Sequence, residues 1–429
     1  GARSPNTRRI ATASEASDAG VPLACATIMP TSAGASPGAP AKAEPLKVAF
    51  AYVGSVGDGG KKTLSCLEPK TGKVVWTGEL GGKTKFESSP TVVDDKVYCI
   101  NFWGEVYVAK ADTDKFELLG MNEMGNGSKP NGNASSVRAS VSWTLGTAFE
   151  HLFLTGNGDI DAIGHAGNNT ISGNGGANTI VSGGGADVLS GGGGADSLVG
   201  GAGSDTVNYT ASAAAVVVDL LTGTGSGGDA EGDTFSGVEH VLGSAGNDSL
   251  AGTADDNRLV GGSGNDVLEG GAGADTLDGG AGSDTASYAR AADGVIASLL
   301  SAGANTGDAA GDAYLGIEHL RGSAWNDSLT GDGGDNRLDG GDGDDTLVGG
   351  AGADALVGGA GSDTASYAGG TQAVAIHLAS PDPAAQTGDA AGDTFSSIEN
   401  LVGTSFDDQL GGTDAANRHY RAAAEQARG

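Results

Sequence analysis

A nine-residue frame repeats along the second half of the chain and limits it to folds made of stacked, equivalent units. From Gly243 the sequence is GSAGNDSLA, GTADDNRLV, GGSGNDVLE, GGAGADTLD, GGAGSDTAS, and from Gly322 it is GSAWNDSLT, GDGGDNRLD, GGDGDDTLV, GGAGADALV, GGAGSDTAS. Glycine occupies positions one, two and four of the full frame, Asp or Asn position six, and an apolar residue position eight. Such a period is typical of an array and excludes an ordinary enzyme domain in this region.

The frames are grouped into longer units of 79 residues. Tyr209, Tyr288 and Tyr367 recur at that spacing, and five frames with a 34-residue connector fill one unit. An earlier array runs from about residue 155 to 208, and a partial unit begins at Gly403 with GTSFDDQLG. The pattern predicts repeat units over 142–208, 209–287, 288–366 and, incomplete, 367–420, followed by a tail over 421–429.

The negative charge of the chain belongs to the repeats. The net charge is -31, yet residues 142–429 contain 40 acidic and 7 basic residues with 62 of the 79 Gly, whereas residues 1–141 are near neutral. This balance argues against nucleic acid and for cations as partners. No apolar run approaches the length of a membrane span. The change in composition predicts a domain boundary near residue 142.

The frame contains the groups that a hard divalent cation requires. Calcium binds six to eight oxygens at about 2.3 to 2.6 Å and accepts both carboxylates and backbone carbonyls. Glycine allows the backbone to turn its carbonyls inward, and the Asp at position six adds charge. The candidate carboxylates are Asp187, Asp196, Asp205, Asp248, Asp266, Asp275, Asp284, Asp327, Asp345, Asp354, Asp363 and Asp408. The candidate glycines are Gly191, Gly193, Gly200, Gly261, Gly270, Gly279, Gly340, Gly349 and Gly358.

This GGxGxDxUx pattern resembles the RTX, or hemolysin-type, calcium-binding nonapeptide repeat. The resemblance implies a parallel β-roll in which six residues of each frame turn around a calcium ion. The last three residues form a short strand, and two frames complete one coil. The predicted fold is therefore all-β, with tandem calcium-bound parallel β-rolls.

Two groups of residues depart from the full frame. Asn257 and Asn336 replace the Asp of the second frame in their units and offer a neutral oxygen, which predicts a weaker or absent ion. The connectors contain Asp229, Asp233 and Glu239 in one copy and Asp308, Asp312 and Glu318 in the next. These acidic residues either form an additional calcium site or cap the roll by binding backbone N–H groups.

A single frame does not provide enough apolar burial to fold alone. Ordering nine residues costs roughly 9 to 18 kcal/mol of backbone entropy, whereas burial of one Leu returns about 1.5 to 3 kcal/mol. We therefore expect the repeat region to be largely disordered without calcium and to fold when calcium binds.

Residues 1–141 have a different character. Residues 1–47 are rich in Ala, Ser and Pro, which predicts a flexible leader, and residues 48–141 alternate short β-branched runs with turns, which predicts antiparallel β structure. The stretch LEPKTGKVVWTGELGG and the SSPTVVDDKVYCINFWGEVYVAK that follows resemble two blades of a quinoprotein-type (PQQ-like) β-propeller. We expect Trp76 and Trp103 to pack in a small sheet, with no quinone site.

Two functional hypotheses follow for a protein of this composition. The first is a non-catalytic, secreted calcium-binding protein with a structural, surface-layer, filament or adhesive role, with self-association or cell-surface glycans as its partners. The second is the calcium-dependent folding and secretion module of an extracellular hydrolase. No HExxH, GxSxG or P-loop motif is present in the sequence, and the resemblance implies type I secretion from a bacterial cell. The predicted location is extracellular.

Overall fold

The computed structural model divides the chain into two compact units, residues 1–156 and residues 157–429. It describes residues 136–147, 149–379, 383–413 and 418–420 in full, and elsewhere the backbone of individual strands. The boundary at residue 156 lies somewhat beyond the change in composition. All the predicted repeat units from residue 157 onward belong to one compact unit.

The first unit is built from short strands. They are Val48–Phe50, Thr63–Leu67, Val74–Glu79, Thr91–Val93, Lys96–Ile100, Glu105–Lys110, Leu118–Met124, Ser136–Ala139, Trp143–Thr144 and His151–Leu154. The first three form an antiparallel sheet, and the strands from Thr91 to Ala139 form an antiparallel meander. The antiparallel prediction for this segment is confirmed. The predicted packing of Trp76 and Trp103 concerns side chains outside the described residues.

The second unit contains strands of two to seven residues. Before the second repeat array they are Ala162–Ile163, Thr170–Ser172, Thr179–Gly185, Val188–Ser190, Ser197–Gly203, Thr206–Asn208, Val217–Asp219, Thr224–Ser226, Thr234–Ser236 and His240–Leu242. They continue with Ser249–Ala251, Arg258–Ser263, Val267–Glu269, Thr276–Ala281, Thr285–Ser287, Ile296–Ser298, Ala313–Leu315, His319–Arg321, Ser328–Thr330, Arg337–Asp342 and Thr346–Val348. The last are Ala355–Ala360, Thr364–Ser366, Ala375–His377, Thr394–Ser396, Asn400–Gly403, Gln409–Gly411 and Arg418–Arg421.

The strands of alternate frames pair in parallel with a shift of 18 residues. Ser249–Ala251 pairs with Val267–Glu269, whereas Arg258–Ser263 pairs with Thr276–Ala281 on the other face. Two frames therefore complete one coil, and successive coils stack through their backbone hydrogen bonds. The parallel β-roll predicted from the frame is confirmed.

The core of the roll is a row of apolar side chains from position eight. Leu259, Leu268 and Leu277 are fully buried, and Leu329, Leu338 and Leu347 repeat the arrangement in the next unit. In a strand, neighbouring side chains point to opposite faces. Position seven therefore faces outward, and Val267 is 39% exposed.

The connectors continue the stack. His240–Leu242 pairs in parallel with Thr206–Asn208 on one side and with Arg258–Ser263 on the other, so a connector strand replaces one frame of a coil. His319–Arg321 makes the equivalent pairs in the next unit. Besides their other short strands, the connectors contain short 3-10 helices at Gly228–Ala230, Ala302–Ala304, Gly307–Ala309, Pro383–Ala385 and Gly388–Ala390.

Leu268→Ala tests the contribution of the apolar row. We expect the free energy of unfolding in saturating calcium to fall by about 2 to 5 kcal/mol, because the substitution leaves a cavity between stacked coils. The neighbouring exposed substitution Val267→Ala is the control and should change it by about 0.5 kcal/mol or less. Urea titration measures both. Equal effects would show that position eight is not the core.

Candidate calcium centres

The site begins with the Asp at position six, which the strand geometry buries at the edge of each coil. These carboxylates are almost fully inaccessible: Asp187, Asp196, Asp205, Asp248, Asp266, Asp275, Asp284, Asp327, Asp345, Asp354 and Asp363 are at most 4% exposed. Asp408 is only partly buried. A buried carboxylate is costly unless it is paired or hydrogen-bonded, so the partners of each oxygen determine what the site can bind.

One oxygen of each carboxylate holds the neighbouring coil. The backbone N–H of Asp248 donates to Oδ1 of Asp266 at 2.7 Å, and Asp266 in turn donates to Oδ1 of Asp284 at 2.7 Å. The same bond joins Asp345 to Asp363 at 2.9 Å. Position six therefore forms a ladder of charge-assisted hydrogen bonds within each array.

The second oxygen of most of these residues has no hydrogen-bond partner although it is buried. This is true of Oδ2 in Asp187, Asp196, Asp205, Asp266, Asp275, Asp284, Asp345, Asp354, Asp363 and Asp408. An isolated buried charge is strongly unfavourable. Each of these oxygens therefore requires a cation or a proton.

The orphaned oxygen faces a small space beside the glycine at position one. A Cβ built on Gly340 would overlap Oδ2 of Asp345 and lie 2.6 Å from the carbonyl oxygen of Gly358 in the next coil. Among the candidate glycines, Gly191, Gly200, Gly261, Gly270, Gly279, Gly340, Gly349 and Gly358 all face Oδ2 of their own frame. Gly193, at position three, lies beside open space. Carboxylate and carbonyl oxygens that share a side-chain-free space fit a calcium ion.

The glycine at position two keeps its N–H away from this oxygen. Gly262 has φ +114° and Gly341 has φ +107°, a conformation that L side chains rarely adopt. Both belong to the parallel ladder, where Gly262 is opposite Gly280 and Gly341 is opposite Gly359. The frame thus leaves Oδ2 free of local donors.

Frames with serine at position two are satisfied by their own backbone. The N–H of Ser323 donates to Oδ2 of Asp327 at 2.6 Å, and Ser244 makes the same bond to Asp248 at 2.5 Å. The serine hydroxyls add a second donor to each carboxylate. Asp248 and Asp327 were predicted as ligands equal to the others, but the structure supplies both of their oxygens with donors.

The side-chain amides of Asn257 and Asn336 form hydrogen bonds within the chain through both their oxygen and their nitrogen. Oδ1 of Asn336 accepts from the N–H of Asp332 at 2.7 Å, and its Nδ2 donates to the carbonyl of Glu318 at 2.8 Å. Asn257 bonds the carbonyl of Glu239 in the same way at 2.9 Å. The amide therefore joins two coils where the other frames have an orphaned carboxylate.

The connector carboxylates are also hydrogen-bonded. Asp312 accepts the N–H of Asp275 at 3.0 Å and the hydroxyl of Tyr288 at 2.7 Å. Asp233 accepts the N–H of Asp196 at 2.8 Å and the hydroxyl of Tyr209 at 2.6 Å. This favours the capping alternative for Asp233 and Asp312 over an additional calcium site.

The two connector glutamates take part in the same ladder. Oε2 of Glu239 accepts the N–H of Asp205 at 2.8 Å, and Oε2 of Glu318 accepts that of Asp284 at 2.9 Å. They therefore occupy the place of a position-six side chain at the end of each array, and their own N–H groups donate to the carbonyls of Asp205 and Asp284. The fixed spacing of these glutamates from the connector Asp was the sequence signal for this role.

Burial raises the pKa of several orphaned carboxyl groups in the successive arrays. The pKa of Asp275 rises from 3.8 to about 7, mainly because burial disfavours its charged form, and the nearby carboxylate of Asp312 adds to the rise. Burial likewise raises the pKa of Asp345 and Asp354 to about 7 and that of Asp196 and Asp266 to about 6. Without a cation these groups hold protons more tightly than ordinary Asp side chains do.

A second ladder was missed by the sequence analysis. The side chain at position five accepts the N–H of position five in the following coil, as Asn326 does from Asp344 at 2.9 Å and Asp335 from Ala353 at 2.8 Å. It runs opposite to the position-six ladder and lies at the surface. The Asn or Asp at position five in the early frames of each unit was the available signal.

His240 and His319 each contact a serine but do not activate it. Nε2 of His319 is 2.6 Å from Oγ of Ser283, while its Nδ1 accepts the N–H of Arg337 at 2.9 Å. A neutral imidazole that accepts at Nδ1 carries its proton on Nε2, so it donates to the serine. The pair is therefore a structural link and not a nucleophile with its base.

Side chains alone do not complete a metal site. In the part of the chain that the structure describes, no group of three His, Cys, Asp or Glu residues lies close enough to hold a metal ion. An ion beside an orphaned Oδ2 would therefore take most of its oxygens from backbone carbonyls. Among the same residues, no helix has the length and apolar character needed to cross a membrane.

Comparison with protein families identifies the repeat. The family model for the RTX calcium-binding nonapeptide repeat (4 copies) matches residues 155–189, 172–207, 233–268, 251–286, 312–347 and 330–365. The chain therefore contains several copies of a repeat that binds calcium. A search of curated proteins finds no match. The comparisons bring no support for propeller repeats in residues 48–134, and that resemblance stays a prediction.

The raised pKa values predict how the calcium-free roll responds to pH. A carboxyl group whose pKa is higher in the folded chain than in the unfolded chain stabilises the fold below about pH 4 and loses that contribution as the pH rises to about 7. We expect the calcium-depleted protein to show more β signal by circular dichroism at pH 5 than at pH 7.5. Excess calcium should remove this difference. Equal signals at both pH values without calcium would show that these carboxyl groups are solvated.

Proposed function

We propose that the RTX repeats of this chain bind calcium ions, one beside each orphaned carboxylate oxygen of the three arrays that end at Asp205, Asp284 and Asp363, and thereby convert the repeat region into a stiff extracellular rod. The observation that carries this proposal is the set of buried Oδ2 atoms without a partner. Nine of them belong to complete frames, three in each of the successive arrays that end at Asp205, Asp284 and Asp363. We therefore expect nine ions between residues 182 and 366.

The chemistry that calcium would supply is charge compensation and cross-linking of coils. Each ion would be held by Oδ2 of one frame and by carbonyl oxygens, including that of the position-one residue in the next coil. Because the carboxylate already binds the preceding coil through Oδ1, the ion would add a link to the following coil. Binding free energy then becomes folding free energy.

The parallel strand pairing that continues through the connectors supports a structural role. Connector strands join the arrays in register, so stiffness gained in one array extends to the next. A secreted structural, surface-layer or adhesive element needs this property. In the alternative, a folding and secretion module of an extracellular hydrolase, the same roll would serve a catalytic domain elsewhere.

Calcium titration with light scattering separates these two roles. If the rods join into filaments or lattices, scattering should rise together with the calcium-induced β signal. Folding without a rise in scattering would favour the module of a secreted hydrolase. Both the structural role and the secretion-module role require the calcium sites, so this measurement tests only the biological role.

Asp275→Asn tests the ion sites themselves. We expect one ion fewer by calorimetry and a shift of the calcium-induced folding midpoint to about tenfold higher calcium, because affinity depends on the charge of the ligands. Asp255→Asn is the matched control, since it removes the same charge from an exposed side chain in the preceding coil. Equal behaviour of the two variants would overturn the assignment of the orphaned oxygens.

A further inference from the structure

The carboxylates of this chain fall into two classes that alternate along each 79-residue unit. From Asp312 to Asn336 every position-six side chain or its connector equivalent accepts hydrogen bonds from the chain. The donors to Asp327 and Asn336, and the Tyr288 hydroxyl that bonds Asp312, lie within residues 288–339. The N–H groups that bond Asp312 and Glu318 belong to Asp275 and Asp284 of the preceding frames. The next three, Asp345, Asp354 and Asp363, each have an orphaned oxygen. The preceding unit has the same order, with bonded side chains from Asp233 to Asn257 followed by orphaned ones at Asp266, Asp275 and Asp284. We name residues 209–260 and 288–339 the junction modules, and residues 261–287 and 340–366 the calcium segments.

The junction modules also bury more apolar surface. Residues 288–339 contain nine buried apolar residues in the core: Tyr288, Ala291, Val295, Ala297, Ala309, Ile317, Leu320, Leu329 and Leu338. The calcium segment 340–366 contains three: Leu347, Leu356 and Ala365. The junction module therefore has one buried apolar side chain for about six residues, whereas the calcium segment has one for about nine. Since each ordered residue costs about 1 to 2 kcal/mol of backbone entropy, the entropy cost for each buried apolar side chain is lower in the junction module than in the calcium segment.

The strands of a junction module pair with one another. Ile296–Ser298 pairs with Ser328–Thr330, and His319–Arg321 pairs with Arg337–Asp342. Within the module the N–H of Val295 also donates to Oδ1 of Asp327 at 2.7 Å. The module therefore contains paired strands on both faces, and these strands also pair with the calcium segments on either side.

We propose that the junction modules stay folded when calcium is removed, and that only the calcium segments unfold. This rests on the proposed function and narrows it, because the frame alone predicts disorder throughout the repeat region. In the calcium-free chain the modules are folded bodies joined by unfolded segments of 27 residues. Each module then presents a finished coil edge on which the adjacent segment reassembles when calcium returns.

Hydrogen–deuterium exchange on the intact chain tests this proposal. In excess chelator at pH 7.5 we expect peptides from 209–260 and 288–339 to exchange at least about tenfold more slowly than peptides from 261–287 and 340–366. Rapid exchange of both kinds of segment would overturn the proposal while leaving calcium-coupled folding intact. Full protection of both without calcium would overturn the proposed function as well.

Tyr288→Phe tests the internal donors. The substitution removes the hydroxyl that satisfies Asp312, so protection of 288–339 in chelator should fall about tenfold. The module 209–260, with its intact pair of Tyr209 and Asp233, is the control within the same molecule. Unchanged protection of 288–339, or an equal loss in both modules, would contradict the role of this hydroxyl.

Ser244→Gly is an independent test, because we expect it to add a calcium site. The substitution converts the frame at Gly243 to GGAGND and removes the hydroxyl donor, and a glycine there can adopt the positive φ that withdraws its N–H. We expect one additional bound calcium by calorimetry and weaker protection of 209–260 in chelator. An unchanged ion count would show that position two does not decide which frames bind calcium.

Discussion

The structure depends on a carboxylate that serves two coils at once. Oδ1 of the position-six Asp accepts a backbone N–H from the coil before it, as Asp284 does from Asp266, and this bond fixes the carboxylate at the buried edge. Its second oxygen is then fixed as well, and in Asp284 it has no donor. Stacking therefore creates the negative site that a cation must fill, which is why folding and calcium binding are expected to be a single process.

Between residues 243 and 366, the residue at position two distinguishes the Asp side chains whose second oxygen is hydrogen-bonded from those whose second oxygen is not. With Gly262 in the positive-φ region, the carboxylate of Asp266 has no local donor. With Ser244 at the same position, the backbone N–H and the hydroxyl both bond to Asp248. The two frames have the same fold and the same acidic residue, so the electrostatic difference between them comes from backbone conformation.

Much of this architecture could be predicted from the sequence, because the nine-residue period fixes both the backbone and the apolar row. Position six and the glycines beside it follow from the ligand preferences of calcium. The donors to Asp312 and Asp327 could not be predicted, since they come from Tyr288, 24 residues away, and from a backbone N–H whose direction depends on φ. The parallel pairing of the connector strand with both neighbouring arrays was also hidden, because its sequence lacks the frame.

The alternation of bonded and orphaned carboxylates limits how many carboxylate oxygens lack a hydrogen-bond donor in the calcium-free chain. If every frame left an oxygen without a donor, the calcium-free chain would have no element from which folding could start. If every frame were bonded like that of Ser323 and Asp327, the roll would fold without calcium and could not respond to it. Each 79-residue unit combines a junction module, whose carboxylates are hydrogen-bonded by the chain, with a calcium segment of three frames that need an ion. It therefore keeps a folded edge beside a segment that responds to calcium. The 79-residue period, rather than the nine-residue frame, is therefore the unit on which calcium acts.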